Sequence, residues 1–105
     1  MHIQIVNFHL KGLSDEDYRK LCDEVAPAFA QVPGLIAKVF LANPGTNTYG
    51  GVYTWRDREA MTAFAGRELF AAVAGNPNLR DISSTDFAVL EGPSRATRGL
   101  VAVAA

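Results

Sequence analysis

Between Ile3 and Leu10 both alternation sets carry apolar side chains: Ile3 and Ile5 on one, Val6, Phe8 and Leu10 on the other. A strand apolar on both parities is covered on both faces, and Lys11-Gly12 stops it. Ser14 followed by Asp15, Glu16 and Asp17 predicts a helix start. The serine caps free amides, and the acids suit the positive end of the helix dipole. Tyr18, Leu21, Cys22, Val25 and Phe29 then recur at helical spacing as one stripe. Pro27 predicts a kink or a tightened last turn, and Pro33-Gly34 ends the segment. Leu35 to Ala42 is nearly all apolar with one charge, Lys38, and reads as an interior strand. Turn chemistry from Asn43 to Asn47 joins it to a strand from Tyr49 to Trp55. In that strand Tyr49, Gly51, Tyr53 and Trp55 share one parity, with Gly50, Val52 and Thr54 on the other. Two glycines inside a strand predict a bulge or the close approach of a backbone or ligand. Asp57 opens a second helix whose Met61, Phe64 and Ala65 face inward. Gly66 breaks it, Glu68 to Ala74 continues as a shorter helix, and Asn76-Pro77 closes it. Ile82 to Leu90 is the fourth strand.

The order is β-α-β-β-α-β, which predicts an α+β, ferredoxin-like fold: an antiparallel sheet with both helices on one face. One domain spans residues 1–92, and residues 93–105 form a C-terminal tail. The other sheet face would stay wet, yet the strands are apolar on both parities. A second copy packed sheet to sheet covers it, and a twofold pair is the commonest arrangement. The apolar end from Gly99 is a frayed tail or a strand that docks on a partner.

Composition narrows the function classes. With 105 residues, one core suffices. Ten basic and eleven acidic residues leave a formal net charge of -1, so no cationic excess exists to neutralise the phosphates of a nucleic acid. No stretch approaches the ~18 apolar residues of a membrane span, and the N-terminus lacks the pattern of a secretory leader; a cytoplasmic protein is expected. The single cysteine, Cys22, has no intrachain partner and reads as a packed thiol. Flavin, haem and metal motifs are absent, so no cofactor is expected and the protein should purify colourless.

The segments VPGLIAKVFLA, NTYGGVYTWRDREAMTAF and TDFAVLEGPSRATRG resemble the YdhR-like monooxygenase family, of the antibiotic-biosynthesis-monooxygenase type of dimeric α+β barrel. The resemblance runs from about Asn7 to Gly99. Its most specific part is the glycine-pair strand with its aromatics, followed by the acid-opened helix. It implies a homodimer and a pocket between sheet and helices in each subunit. It also implies the monooxygenase label, on a fold whose members oxidise aromatic polyketides without cofactor, degrade haem, isomerise lactones, cyclise, or have no settled activity. Fold does not decide among these. Cofactor-free oxygenases of this fold use polar and aromatic pocket residues, commonly Asn, Trp, Tyr, Arg or His. An electron-rich phenol or enol must be held and deprotonated, and its anion stabilised while dioxygen reacts.

The candidates each carry a second reading. Asn7 and His9 share a parity, about 7 Å apart by strand rise. His9 is a candidate base, or a half-exposed strand-end histidine. Tyr49, Tyr53 and Trp55 form one aromatic row: a stacking wall for substrate, or core and interface packing. Asp86 in an apolar strand is a raised-pKa base, or the partner of Arg80, Arg56 or a second subunit. Lys38 snorkels to solvent or pairs across a dimer. The leading expectation is a cofactor-independent monooxygenase on an aromatic or polyketide-like compound, with His9 and Asp86 catalytic and Asn7, Tyr49, Tyr53 and Trp55 binding substrate. The alternatives are a dimeric binder of a hydrophobic metabolite without catalysis, and an isomerase or cyclase on the same fold.

Overall fold

The computed structural model describes residues 1–100; the apolar end of the tail, residues 101–105, lies outside the described residues. Four strands form one antiparallel sheet: β1 (His2–Leu10), β2 (Leu35–Asn43), β3 (Thr48–Trp55) and β4 (Leu79–Ala88), in the order β2-β3-β1-β4. Between β1 and β2 runs α1 (Asp15–Ala30), and between β3 and β4 run α2 (Arg58–Phe64) and α3 (Glu68–Ala74). The expected ferredoxin-like arrangement is present, with one addition. Residues Glu91–Ala96 form a short helix, α4, begun by Leu90 rather than continuing β4.

The caps follow the sequence. Ser14 Oγ accepts from the Asp17 amide at 3.1 Å, and Asp57 Oδ1 accepts from the Ala60 amide at 2.8 Å, each satisfying an orphan donor of a first turn. Past Pro27, the end of α1 tightens: the Gln31 amide bonds the Ala28 carbonyl and the Val32 amide the Phe29 carbonyl. A single 3-10 turn, Pro44–Thr46, joins β2 to β3 and closes with Asn47 in the left-handed region.

On β1, His2, Gln4, Val6 and Phe8 face the helices, beside Tyr49, Gly51, Tyr53 and Trp55 of β3. The main core is Phe29, Val32, Tyr53, Trp55, Ala60 and Phe64; Phe8, Tyr18, Tyr49 and Leu79 form a second cluster. Ala65, expected to face inward on α2, is exposed, and Ala60 fills that role. The α2 phase runs through Ala60 and Phe64, one turn apart, which turns Ala65 away.

The glycine pair marks close approach, without a bulge, since β1 and β3 pair in unbroken register across it. A side chain at Gly50, whose φ is 154°, would collide with the Val6 carbonyl; at Gly51 it would press on the stem of Lys38. Irregularities sit elsewhere: the β1–β4 register shifts between Asn7 and His9, where Asp81 takes a φ of 55°, and the β2–β3 register shifts between Leu35 and Ala37. The sheet face away from the helices carries Ile3 and Ile5, Val39 and Leu41, Val52, and Phe87; Val39 and Phe87 are both more than half exposed.

Candidate functional site

Beneath α3, between it and the sheet, lie two small voids that share Val73 as a wall. The first, about 110 Å³, is lined by Gln4 and Val6 of β1, Tyr53 of β3, Phe64, Phe70 and Val73 of the helices, and Ile82 and Ser84 of β4. The second, about 130 Å³, is lined by Tyr18, Cys22 and Phe29 of α1, Lys38 and Phe40 of β2, Leu69 and Val73 of α3, and Leu79. Broader grooves exist, such as one of about 470 Å³ along Ala28, Gln31, Arg67 and Glu68. That groove is a surface depression lined mainly by exposed side chains.

Polar groups converge on each void. At the first, the Trp55 indole N–H donates to Gln4 Oε1 at 3.0 Å, and Gln4 Nε2 donates to Ser84 Oγ at 3.0 Å. This chain anchors Trp55, which is fully buried, behind Tyr53, whose ring stacks parallel to it at 5.9 Å between centroids. Burial pushes the Tyr53 phenol up to about 12.

The second void holds Lys38. Strand β2, expected to be interior, lies at the edge of the sheet and places Lys38 opposite Tyr53 on the helix face, half-buried, so it does not pair across the open face as one expectation had it. Its Nζ lies 3.3 Å from the centroid of the Phe29 ring, 4.0 Å from that of Phe40 and 4.7 Å from that of Tyr53. Burial drives its amine from 10.5 down to about 7, against a weak opposing pull from Cys22. An apolar surround penalises the charged form, and among the described residues no ion pair includes Lys38. Burial also raises the Tyr18 phenol and the Cys22 thiol. The void therefore presents an amine able to take a proton near neutral pH, beside two neutral O–H and S–H groups.

The residues proposed from sequence do not gather in one place. Tyr53 lines the first void and Trp55 supports it from behind. Tyr49 lies in the other cluster, its hydroxyl donating to Asp15 Oδ1 at 2.7 Å. Asp86 accepts a hydrogen bond from His2 Nε2 at 2.7 Å, not from Arg80 or Arg56. His9 is exposed, 3.1 Å from Asp81 through Nδ1. Asn7 projects to the open sheet face, on the parity of Ile3 and Ile5. Asn7, His9, Tyr49 and Asp86 thus stand apart from both voids. Sequence reasoning passed over Gln4 and Ser84, although Gln4 shares the parity of Val6 and Phe8 on an apolar strand. It set Lys38 aside although Lys38 shares the parity of Phe40. Among the described residues no three His, Cys, Asp or Glu side chains cluster as metal ligands, and no helix is long and apolar enough to cross a membrane.

With this geometry, residues 3–100 match the family described as "Putative mono-oxygenase ydhR". The chain belongs to this family. Solved structures agree on the fold. The heme-degrader MhuD from Mycobacterium tuberculosis, with two hemes in its active site, is 26% identical with a TM-score of 0.69, covering 86% of this chain and 96% of that one. SnoaB, a cofactor-independent oxygenase from Streptomyces nogalater, is 20% identical in its N63A mutant with a TM-score of 0.67, covering 85% and 93%. An antibiotic biosynthesis monooxygenase is 18% identical with a TM-score of 0.70, covering 86% and 99%. A search of curated proteins found no match.

Proposed function

We propose that the protein is a cofactor-independent oxygenase acting on a flat aromatic or polyketide-like molecule held between the sheet and α3. The observation that carries this is the pair of apolar voids joined at Val73, with Gln4 and Ser84 at one end and Lys38, Tyr18 and Cys22 at the other. Each is smaller than the ~300–1,000 Å³ of ordinary ligand sites, so a tricyclic ligand needs both. The wall between them is lightly tied down: α3 has seven residues, none fully buried, and Arg67 at its start makes no side-chain capping bond. Displacing α3 merges the voids into one slot walled by Tyr53, Phe64, Phe70 and Phe40. The family supports oxygenase chemistry, and SnoaB gives a precedent for it without cofactor. Neither void includes a histidine among its lining residues, which sets this site apart from a histidine-ligated haem pocket.

The acting form is a homodimer. The open face of the sheet, with Val39 and Phe87 exposed beside Ile3, Ile5 and Val52, is covered by the same face of a second copy.

A second reading, a binder of a hydrophobic metabolite without catalysis, is favoured by one feature: the Trp55–Gln4–Ser84 chain is bonded within itself, which suits a wall rather than an orienting group. An isomerase or cyclase is the third. An oxygen electrode separates them. Metal-free, flavin-free protein given a panel of hydroxylated anthrones and naphthols should consume dioxygen with at least one compound at a rate proportional to protein. Saturable binding with no dioxygen uptake leaves the binder; conversion without uptake leaves the isomerase or cyclase.

A further inference from the structure

We infer that Lys38 is the group that takes the proton from an acidic phenol or enol entering the second void and then holds the oxyanion as its ammonium partner. This rests on the reading of the voids as the ligand site, and it narrows the ligand to apolar rings bearing an acidic hydroxyl.

The placement is specific. Lys38 comes from the helix-facing parity of edge strand β2, and its stem runs over Gly51, where a Cβ would stand 2.9 Å from Lys38 Cε. The glycine thus leaves the lysine stem its present course, which a side chain at position 51 would make it shift from. The nitrogen ends over the faces of Phe29 and Phe40 rather than at a carboxylate. The groups facing it from each packed element are few: Tyr18 and Cys22 of α1, Tyr53 of β3, and the uncharged Leu69, Val73 and Leu79. An amine so enclosed lacks a counter-ion, and a ligand can bring one. Proton transfer breaks the ligand O–H bond, leaves its electron pair on oxygen, and forms an N–H bond on Nζ. A neutral ligand entering a neutral site thus yields an ammonium–oxyanion pair with no change in net charge, and contact between the two offsets part of the burial penalty each would suffer alone. The Tyr18 hydroxyl and Cys22 thiol stay protonated at neutral pH because burial raises both, so neither sets a competing negative charge beside Lys38. Lys11 and Lys20, the other two lysines, are exposed on the surface.

The test uses 4-nitrophenol, whose ionised form is coloured, and its methyl ether 4-nitroanisole, which has no proton to give. Each is titrated into wild-type protein and into Lys38→Met across pH. The expected result is that wild type lowers the pKa of bound nitrophenol by at least one unit, a tenfold preference for the anion, and binds the ether at least tenfold more weakly. Lys38→Met should bind both alike and leave bound nitrophenol un-ionised at pH 6. The colour of the ligand in wild type is a readout that needs no variant. If wild type binds both probes equally and the nitrophenol pKa is unmoved or raised, the role of Lys38 is overturned while the voids stand as the ligand site. If neither probe binds wild-type protein whose Trp55 emission shows it folded, the reading of the voids fails and the inference fails with it.

Discussion

Replacing Lys38 by Met should stabilise the protein at acid and neutral pH, and the gain should vanish in alkali. Displacing the amine from 10.5 to about 7 corresponds to roughly 5 kcal/mol, at ~1.4 kcal/mol for each pH unit. Below pH 7 the folded protein must carry the buried charge, so the full penalty is present. Between pH 7 and 10.5 the unfolded chain keeps a proton that the folded chain has shed, so wild-type stability rises with pH through this window. Above 10.5 both states are neutral and the penalty is gone. Methionine has a similar length and fits the same apolar channel. Urea unfolding of both proteins at pH 6, 8, 9 and 10.5 measures the difference, in which titrations common to the two cancel. Lys38→Met should be more stable by roughly 5 kcal/mol at pH 6, with the margin shrinking steadily above pH 7. A difference independent of pH, or a less stable variant at pH 6, would refute the burial of an uncompensated amine.

Other perturbations probe the frame around the site. Phe64→Ala and Phe29→Ala, each opening a cavity beneath Trp55 or Tyr53, should cost ~3–5 kcal/mol apiece; an unchanged urea midpoint would contradict the helix phases. Gly50→Ala should cost at least ~2 kcal/mol through backbone strain and lower the thermal midpoint by at least ~8 °C; an unshifted midpoint would mean that the close approach to Val6 is not rigid. Light scattering should give twice the chain mass for wild type and the single chain mass for Val39→Glu combined with Phe87→Glu; a monomeric wild type would remove the sheet-to-sheet pairing.

The fold was legible because its punctuation is local. Ser14 and Asp57 cap the helices that they precede in sequence, and the turn at Pro44 lies where the apolar runs break. The start of β4 was misplaced because Leu79 is buried while the residues after it are exposed, so no alternation marked the strand's first half. The site was harder, for a physical reason. When both parities of a strand are apolar, periodicity shows that both faces are covered but not which one meets the helices. Asn7 and His9 were therefore assigned to a cavity that lies behind the opposite parity. A β1–β4 irregularity between them, with Asp81 left-handed, could not be read from β1 alone. Lys38 shows the converse. Its charge argued for solvent, whereas its parity with Phe40 and its pairing with Tyr53 turn it to the helix face, and there the rings of Phe29, Phe40 and Tyr53 surround its nitrogen although β2 lies at the sheet edge. Tyr53 and Trp55 stayed together, as their spacing required, but only Tyr53 reaches a void; the buried indole is held by Gln4, a residue 51 positions away.

The central claim is that ligand binds beneath α3, between the sheet and the helices. A crystal structure of the protein saturated with a hydroxylated anthrone tests it most directly. The account predicts the ring system against Tyr53 and Val73, α3 displaced outward, and a ring oxygen within hydrogen-bond distance of Lys38 Nζ. Ligand seated instead on the open sheet face by Asn7, Val39 or Phe87, or beside His9, would contradict it.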